Sequence, residues 1–398
     1  VSSSLRVALI ASNRFPLRQP FAGGLEAHVW HLARALTVRG HRVSLFAAAG
    51  SDPDLGCAAL TVHELALSAA AQADSSMPPA AHMIDHHAYL SLMMELANPD
   101  SEFDLVHNHS LHHLPVAMAP MMSTPMLTTV HTPPTPWLES ALLITNGAGT
   151  RFAAVSRHTA QAWRHAVPDV AVVPNGVDSR CWRLGPGGDE LVWFGRITPE
   201  KAPHLAIAAA RMAERSLVLA GPVSDTKYFQ RRVAPELGSG VQYAGHLDHD
   251  ELAHLVGRSA TALVTPVWDE PYGLVVAEAM SCGTPVVAFA RGGIPEILAP
   301  TAGRLVPPDD VAAMAAAIPA ATALPRIDVH RHAVARCSAD AMVTAYLNLY
   351  HHLIDDSGGK NNDRLLHPPP RPRTPQQGHR RLHPNAPAGH RPDVAGRP

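Results

Sequence analysis

Two carboxylates, Glu270 and Glu278, stand eight positions apart in the run Trp268-Asp269-Glu270-Pro271-Tyr272-Gly273-Leu274-Val275-Val276-Ala277-Glu278-Ala279-Met280. Pro271 and Gly273 are costly inside a helix. The spacing therefore predicts a helix that begins near Gly273, with Glu270 in the preceding loop and Glu278 about two turns in. Backbone N–H groups at such a helix start favour an anion, and the two carboxylates would flank it as hydrogen-bond acceptors. A sugar diphosphonucleotide has matching parts. Its ribose diol suits Glu278, its diphosphate suits the helix end, and its hexose suits Glu270 together with the turn Pro271, Tyr272, Gly273 and Leu274, with Val275 completing the donor-binding set. After Ser281-Cys282-Gly283-Thr284-Pro285 the chain enters the apolar run Val286-Val287-Ala288, a core strand, which argues against two merely solvated charges.

Cations stand in a second loop. Gly195-Arg196-Ile197-Thr198-Pro199-Glu200-Lys201 follows the apolar run Leu191-Val192-Trp193-Phe194, so Arg196 and Lys201 share one strand-to-helix connection where a diphosphate would lie. Negative charge grows on a departing diphosphate, and fixed cations aimed at it lower the barrier more than they help the ground state. Lys at a helix start is unfavourable for the helix alone, which strengthens the functional reading of Lys201. Ala22-Gly23-Gly24-Leu25-Glu26 opens the first long helix, and Gly23 and Gly24 permit close approach of backbone to a phosphate or acceptor. It is not a GxGxxG fingerprint. His131 ends the apolar strand Thr128-Thr129-Val130, where side chains reach a cleft.

Metal signals are weak. The chain holds 26 histidines, so the cluster His107-Asn108-His109-Ser110-Leu111-His112-His113 arises readily, and no carboxylate or cysteine completes a site at standard spacing. His107 and Asn108 are read as acceptor-side cleft residues. Asp52-Pro53-Asp54 sits in a turn composition and Asp248-His249-Asp250 precedes Glu251-Leu252 as a helix cap would, so neither is expected to hold a cation. Arg196 and Lys201 make a divalent ion unnecessary.

The segment Glu270 to Glu278, continued by Gly292-Gly293-Ile294-Pro295-Glu296-Ile297 and Gly303-Arg304-Leu305-Val306, resembles the signature of glycosyltransferase family 4, and the resemblance extends over roughly the first 350 residues. It implies the GT-B fold: two facing Rossmann-like, doubly wound α/β domains with an interdomain cleft. It further implies a retaining, metal-independent hexosyl transfer with the nucleoside diphosphate sugar as co-substrate and no other cofactor. In that family the arginine and lysine matching Arg196 and Lys201 hold the leaving diphosphate, the loop matching Gly23 and Gly24 covers the donor phosphates, and the histidine matching His131 contacts the transferred sugar. Retention proceeds by two displacements on a carboxylate or by front-face attack. The family is usually assigned the second, so Glu270 is expected to orient the sugar rather than act as nucleophile. An epimerase or hydrolase of similar architecture, or a noncatalytic nucleotide-sugar binder, are the rival readings. A nicotinamide dehydrogenase is disfavoured because the first strand lacks the expected glycine pattern.

The elements that must position these residues follow from hydrophobic pattern. Apolar strand-like runs alternate with helical patterns, which argues for parallel sheets covered on both faces. A first series of strands near Val7, Val43 to Ala48, Leu105 to His107, Leu127 to Val130, Phe152 to Val155 and Val170 to Val173 gives an acceptor-side domain over 1–173. Turn-rich Pro174-Asn175-Gly176-Val177-Asp178 and Gly185-Pro186-Gly187-Gly188 mark a linker over 174–190. A second series places the donor domain at 191–335, and the amphipathic stretch Ala341 to Ile354 makes 336–356 a C-terminal helix. In the resembled family that helix crosses back to the first domain. Residues 357–398, rich in Pro, Arg and His, carry too little apolar surface to offset ordering entropy and are expected to be disordered.

With 398 residues, 46% of them hydrophobic, the chain is long enough for two cores, and a net charge of −2 argues against a dedicated nucleic-acid binder. Cys57, Cys181, Cys282 and Cys337 lack CxxC spacing, so a reduced, cytoplasmic setting is expected. No apolar run approaches bilayer length, which leaves only peripheral contact with an inner membrane surface. The acceptor, whether glycan, lipid or small metabolite, is not encoded in a readable motif, nor are the base and the hexose.

Overall fold

Alternation of buried and turn-forming segments produces two parallel sheets, and the computed structural model describes them over residues 4–55, 58–59, 65–73 and 80–366. The first sheet contains β1 (Arg6–Ile10), β2 (Arg42–Phe46), β3 (Ala58–Ala59), β4 (Leu105–Asn108), β5 (Met126–Val130), β6 (Thr150–Ala154) and β7 (Val170–Val172). Its order is β3-β2-β1-β4-β5-β6-β7. The second sheet contains β8 (Leu191–Phe194), β9 (Leu217–Ala220), β10 (Val241–Tyr243), β11 (Thr261–Val264), β12 (Val286–Phe289) and β13 (Gly303–Val306), in the order β10-β9-β8-β11-β12-β13. All pairings between these strands are parallel.

Both sheets are buried on two faces, which is why their strands read as continuous apolar runs rather than alternating ones. In β1, Val7 and Leu9 enter one core while Ala8 and Ile10 enter another on the opposite face. Likewise Val192 and Phe194 of β8 face one core of the second sheet, and Leu191 and Trp193 face the other. Each sheet starts in its middle and is wound outward in both directions, so each has a switch point, beside β1 and β4 and beside β8 and β11, where ligand crevices open at the strands' carboxyl ends.

The chain passes between the sheets twice, and the two passages lie side by side. Val177 N–H donates to Cys337 O at 2.7 Å and Ala339 N–H donates to Val177 O at 3.2 Å. The helix Ala339–Leu366 then returns to the first sheet, where Met342, Val343, Tyr346 and Tyr350 complete the core containing Val7, Leu9, Val29 and Leu32. Residues 4–357 thus belong to one compact unit.

Some details differ from the sequence reading. The short strand β3 carries no apolar pattern, being Ala58–Ala59. The helix Arg326–Arg336 packs Val329 and Ala333, with Cys337, into the second core. The helix after the glutamate turn is Leu274–Ser281, so Glu278 is its fifth residue, little more than one turn in rather than two. The C-terminal helix, expected over 336–356, runs Ala339–Leu366, so the first ten residues of the expected tail over 357–398 are helical; residues 367–398 lie outside the described residues. Among the described residues no helix is long and apolar enough to cross a membrane.

Candidate active site

The carboxyl ends of β1, β4 and β5 face those of β8 and β11 across a cavity of about 460 Å³. Every residue singled out for donor binding or catalysis borders it: Gly23, Gly24 and His131 from the first domain, and Arg196, Lys201, Glu270, the 271–275 turn and Glu278 from the second. His107 and Asn108 do not. Both lie fully inside β4, His107 bonded to Tyr350 Oη (2.6 Å) and Thr129 Oγ1 (2.8 Å), Asn108 accepting from Ser110 Oγ at 2.7 Å. Strand β4 is interior in its sheet, and the chain reaches the cavity only at Leu111.

Gly273 takes φ 94° as the N-cap of the Leu274–Ser281 helix, a left-handed conformation that disfavours side chains. The Glu270 carbonyl accepts from Gly293 N–H at 2.7 Å. The Pro271 carbonyl is held from the first domain, by Ser156 Oγ at 2.5 Å and Thr159 Oγ1 at 3.2 Å. Reciprocally, the Glu296 carboxylate of the second domain accepts from His158 N–H (2.7 Å) and Arg157 N–H (3.0 Å), neutralising the free donors at the start of the helix Arg157–Trp163. Gly24 lies so near the turn that a Cβ there would sit 2.9 Å from Leu274 Cδ1. Tyr272, at 3% exposure, borders the cavity but packs into the second core.

Charges expected to serve different parts of a ligand meet each other. Lys201 Nζ donates to Glu270 Oε2, Trp268 Nε1 donates to the same oxygen at 3.0 Å, and the ammonium lies 5.1 Å from the Trp268 ring centre. Arg196 pairs with Glu200 at 3.6 Å and runs past Gly23. Glu278 has no hydrogen-bonded or ion-paired partner among the described residues, and burial pushes its carboxyl up to about 8. Sequence reasoning assigned no role to Glu26, yet its carboxylate is 5% exposed beside Arg196 and Arg14. Burial raises the Glu26 carboxyl, opposed by a hydrogen bond from its own backbone N–H and then by the two guanidiniums. Arg14 and Asn175 also line the cavity without having been singled out for it; each follows closely on a strand end, the one signal that pointed there.

His131 Nε2 is 2.9 Å from His109 Nδ1, and burial holds both imidazoles well below the ordinary histidine range, hence neutral at pH 7. Neither Asp pair lines the cavity, although Leu247 and His249 on either side of Asp248 do. Asp248 and Glu251 form a reciprocal helix cap, and Asp52 accepts from Trp30 Nε1 at 3.1 Å.

Two family models match consecutive parts of the chain: Glycosyltransferase Family 4 over residues 22–180 and Glycosyl transferases group 1 over 183–333. A glycogen synthase of Mycobacterium tuberculosis is 30% identical over 341 residues, covering 74% of this chain and 81% of that protein. The chain belongs to glycosyltransferase family 4. A D-inositol 3-phosphate glycosyltransferase of Stackebrandtia nassauensis is also 30% identical, covering 90% and 92% of the two chains. Among solved structures, this glycosyltransferase shares its GT-B fold with sucrose-phosphate synthase from Thermosynechococcus elongatus (TM-score 0.69, 21% identical, covering 88% and 100%). It is also similar to Anabaena HepE in complex with UDP-glucose (TM-score 0.67, 17% identical, covering 86% and 99%).

Proposed function

We propose that this glycosyltransferase moves a hexosyl group from a nucleoside diphosphate sugar to an acceptor held mainly by the first domain, with retention at the anomeric carbon and without a metal at the diphosphate. The observation that carries this reading is the arrangement of one cavity: Arg196 and Lys201 at the end of β8, the helix start after Gly273, and the carboxylates Glu270 and Glu278 all border it. Glu278 receives the ribose diol. The diphosphate lies between the helix start and the two cations, under the Gly23-Gly24 loop, and hexose hydroxyls reach Glu270 and His131.

Before the donor enters, Lys201 and Glu270 satisfy one another. Donor binding exchanges that pair for phosphate on the lysine and sugar hydroxyls on the glutamate, which keeps both charged groups hydrogen-bonded throughout. In the transfer step the acceptor oxygen bonds the anomeric carbon as the bond to the diphosphate oxygen breaks on the same face. The acceptor's proton passes to the departing phosphate. Arg196 and Lys201 stabilise the charge that grows there, an effect worth roughly 10²–10³ in rate per fixed group.

HepE with UDP-glucose, and a starch synthase IV of Arabidopsis thaliana bound to ADP, make UDP and ADP the first nucleotides to try. Calorimetry with UDP, ADP, GDP, dTDP and NAD should show one nucleoside diphosphate binding tightly, with the affinity lost in Glu278→Ala. Preference for NAD, or no binding at all, overturns the reading. Product NMR should show the donor's anomeric configuration, and chelators should not lower turnover. Rapid donor consumption without acceptor would instead indicate a hydrolase or epimerase.

A further inference from the structure

Three histidines from separate segments converge on the first-domain side of the cleft: His28 from the helix Gly24–Val38, His109 just beyond β4, and His131 just beyond β5. One ring nitrogen from each lies within 4.8 Å of the other two. The His28 ring centre is 5.3 Å from that of His109 and 5.0 Å from that of His131. His28 is 4% exposed, and neither of its ring nitrogens has a hydrogen-bond partner among the described residues. A buried polar group left that way is destabilising, and a ligand accepting its lone pair would offset the cost.

The hydrogen bonds behind the cluster set its tautomers. Thr129 Oγ1 donates to Tyr346 Oη at 3.4 Å, so it accepts from His107 Nε2–H at 2.8 Å. His107 Nδ1 is then a lone pair, receiving Tyr350 O–H at 2.6 Å and His109 Nε2–H at 3.1 Å. His109 is thereby fixed with its Nδ1 lone pair directed to His131, 2.9 Å away. Metal-bound imidazoles are characteristically oriented in this way, by a hydrogen bond from the ring nitrogen that does not ligate.

We propose that His28, His109 and His131 bind a borderline divalent transition metal, Zn²⁺ by its ligand preference, and that the bound ion withdraws His131 from the donor sugar. Three neutral imidazoles, with no carboxylate or thiolate in the set, suit Zn²⁺, Co²⁺, Ni²⁺ or Cu²⁺ and not Mg²⁺ or Ca²⁺. Zinc–nitrogen bonds of about 2.0–2.1 Å set tetrahedral ligand nitrogens about 3.3 Å apart, so side-chain rotation must open the 2.9 Å His109–His131 pair slightly and bring the His28 nitrogen to the same spacing. Of the three histidines His131 borders the cavity, and a water reaching the ion from that side would complete four-coordination. On binding, the His131 proton moves from Nε2 to Nδ1, freeing the lone pair, so no net proton is released. The inhibitory consequence rests on the proposed transfer reaction, whereas metal binding does not. This ion is unrelated to diphosphate binding, which stays with Arg196 and Lys201.

The test is a Co²⁺ titration of the metal-free full chain, read by visible d–d absorption, with Zn²⁺ displacing the colour. Wild type should give the intense bands of a four-coordinate ion at one equivalent. His28→Phe keeps a ring in the buried position and removes the unpartnered nitrogens, so its Tm should be no lower than wild type while its Co²⁺ affinity falls at least tenfold. His28→Ala should show the same loss, and circular dichroism confirms folding of both. Zn²⁺ should inhibit transfer by wild type at concentrations that spare His28→Phe. Weak octahedral absorption in wild type, or undiminished affinity in both variants, overturns the site. Binding that depends on His28 but leaves transfer uninhibited overturns the inhibitory half alone.

Discussion

Glu278 is where burial and function pull in opposite directions. Its carboxyl titrates at about 8, against an ordinary value of 4.5, because water is withdrawn and no cation compensates. Ribose hydroxyls donate hydrogen bonds, so they favour the ionised form and binding expels a proton wherever the free group holds one. Donor affinity should therefore rise with pH by up to about tenfold per unit below 8 and level off above it. Calorimetry between pH 6 and 9 in two buffers checks this, and Glu278→Gln should abolish the slope. Folding has the opposite sign. The native state holds an extra proton between 4.5 and about 8, so the contribution to stability is fully present below 4.5 and is lost as pH rises through about 8. Glu278→Gln should accordingly stabilise the protein at pH 8 by on the order of 1 kcal/mol, a Tm rise of roughly 2–4 °C. An unchanged Tm together with a persisting pH slope would remove the buried carboxyl as the cause of either.

At the scale of elements, the glutamate turn and the helix Arg157–Trp163 hold each other across the domain boundary. Ser156 and Thr159 donate to the Pro271 carbonyl, while Glu296 caps the helix that carries Thr159. Removing the carboxylate frees two N–H groups at a helix start, a loss of about 1 kcal/mol. Glu296→Ala should lower Tm by roughly 2–4 °C and weaken nucleotide binding, because the turn that shapes the cavity loses its counterpart. Full donor affinity with the lowered Tm would make the cap structural only. Glu296 was visible in the sequence as part of a motif. Its partners, nearly 140 residues earlier, were not.

At the scale of the molecule, the cavity exists only because two sheets face each other, joined by the adjacent passages at Val177 and Ala339. A ligand gripping both sides stabilises both. A nucleoside diphosphate at about 100 times its Kd should add about 2.7 kcal/mol to the unfolding free energy. Scanning calorimetry should show the whole transition moving upward. A shift confined to one of two resolved transitions would mean that one domain alone supplies the binding energy.

By itself the sequence determined the two strand series, since strands buried on both faces must be apolar throughout. It also determined the start of the Leu274 helix, since Pro271 and Gly273 permit little else, and the loops that carry Arg196, Lys201, Gly23 and Gly24, since these interrupt the apolar pattern where strands end. Only the tertiary structure decided that His107 and Asn108 are interior, that Lys201 meets Glu270, that Glu26 is buried beside Arg196, and that His28, His109 and His131 converge. Periodicity reports which face of an element is buried. It carries no record of which distant side chain lies opposite, because that is set by how two sheets and a returning helix dock, and docking depends on the summed shape of many side chains rather than on any local run.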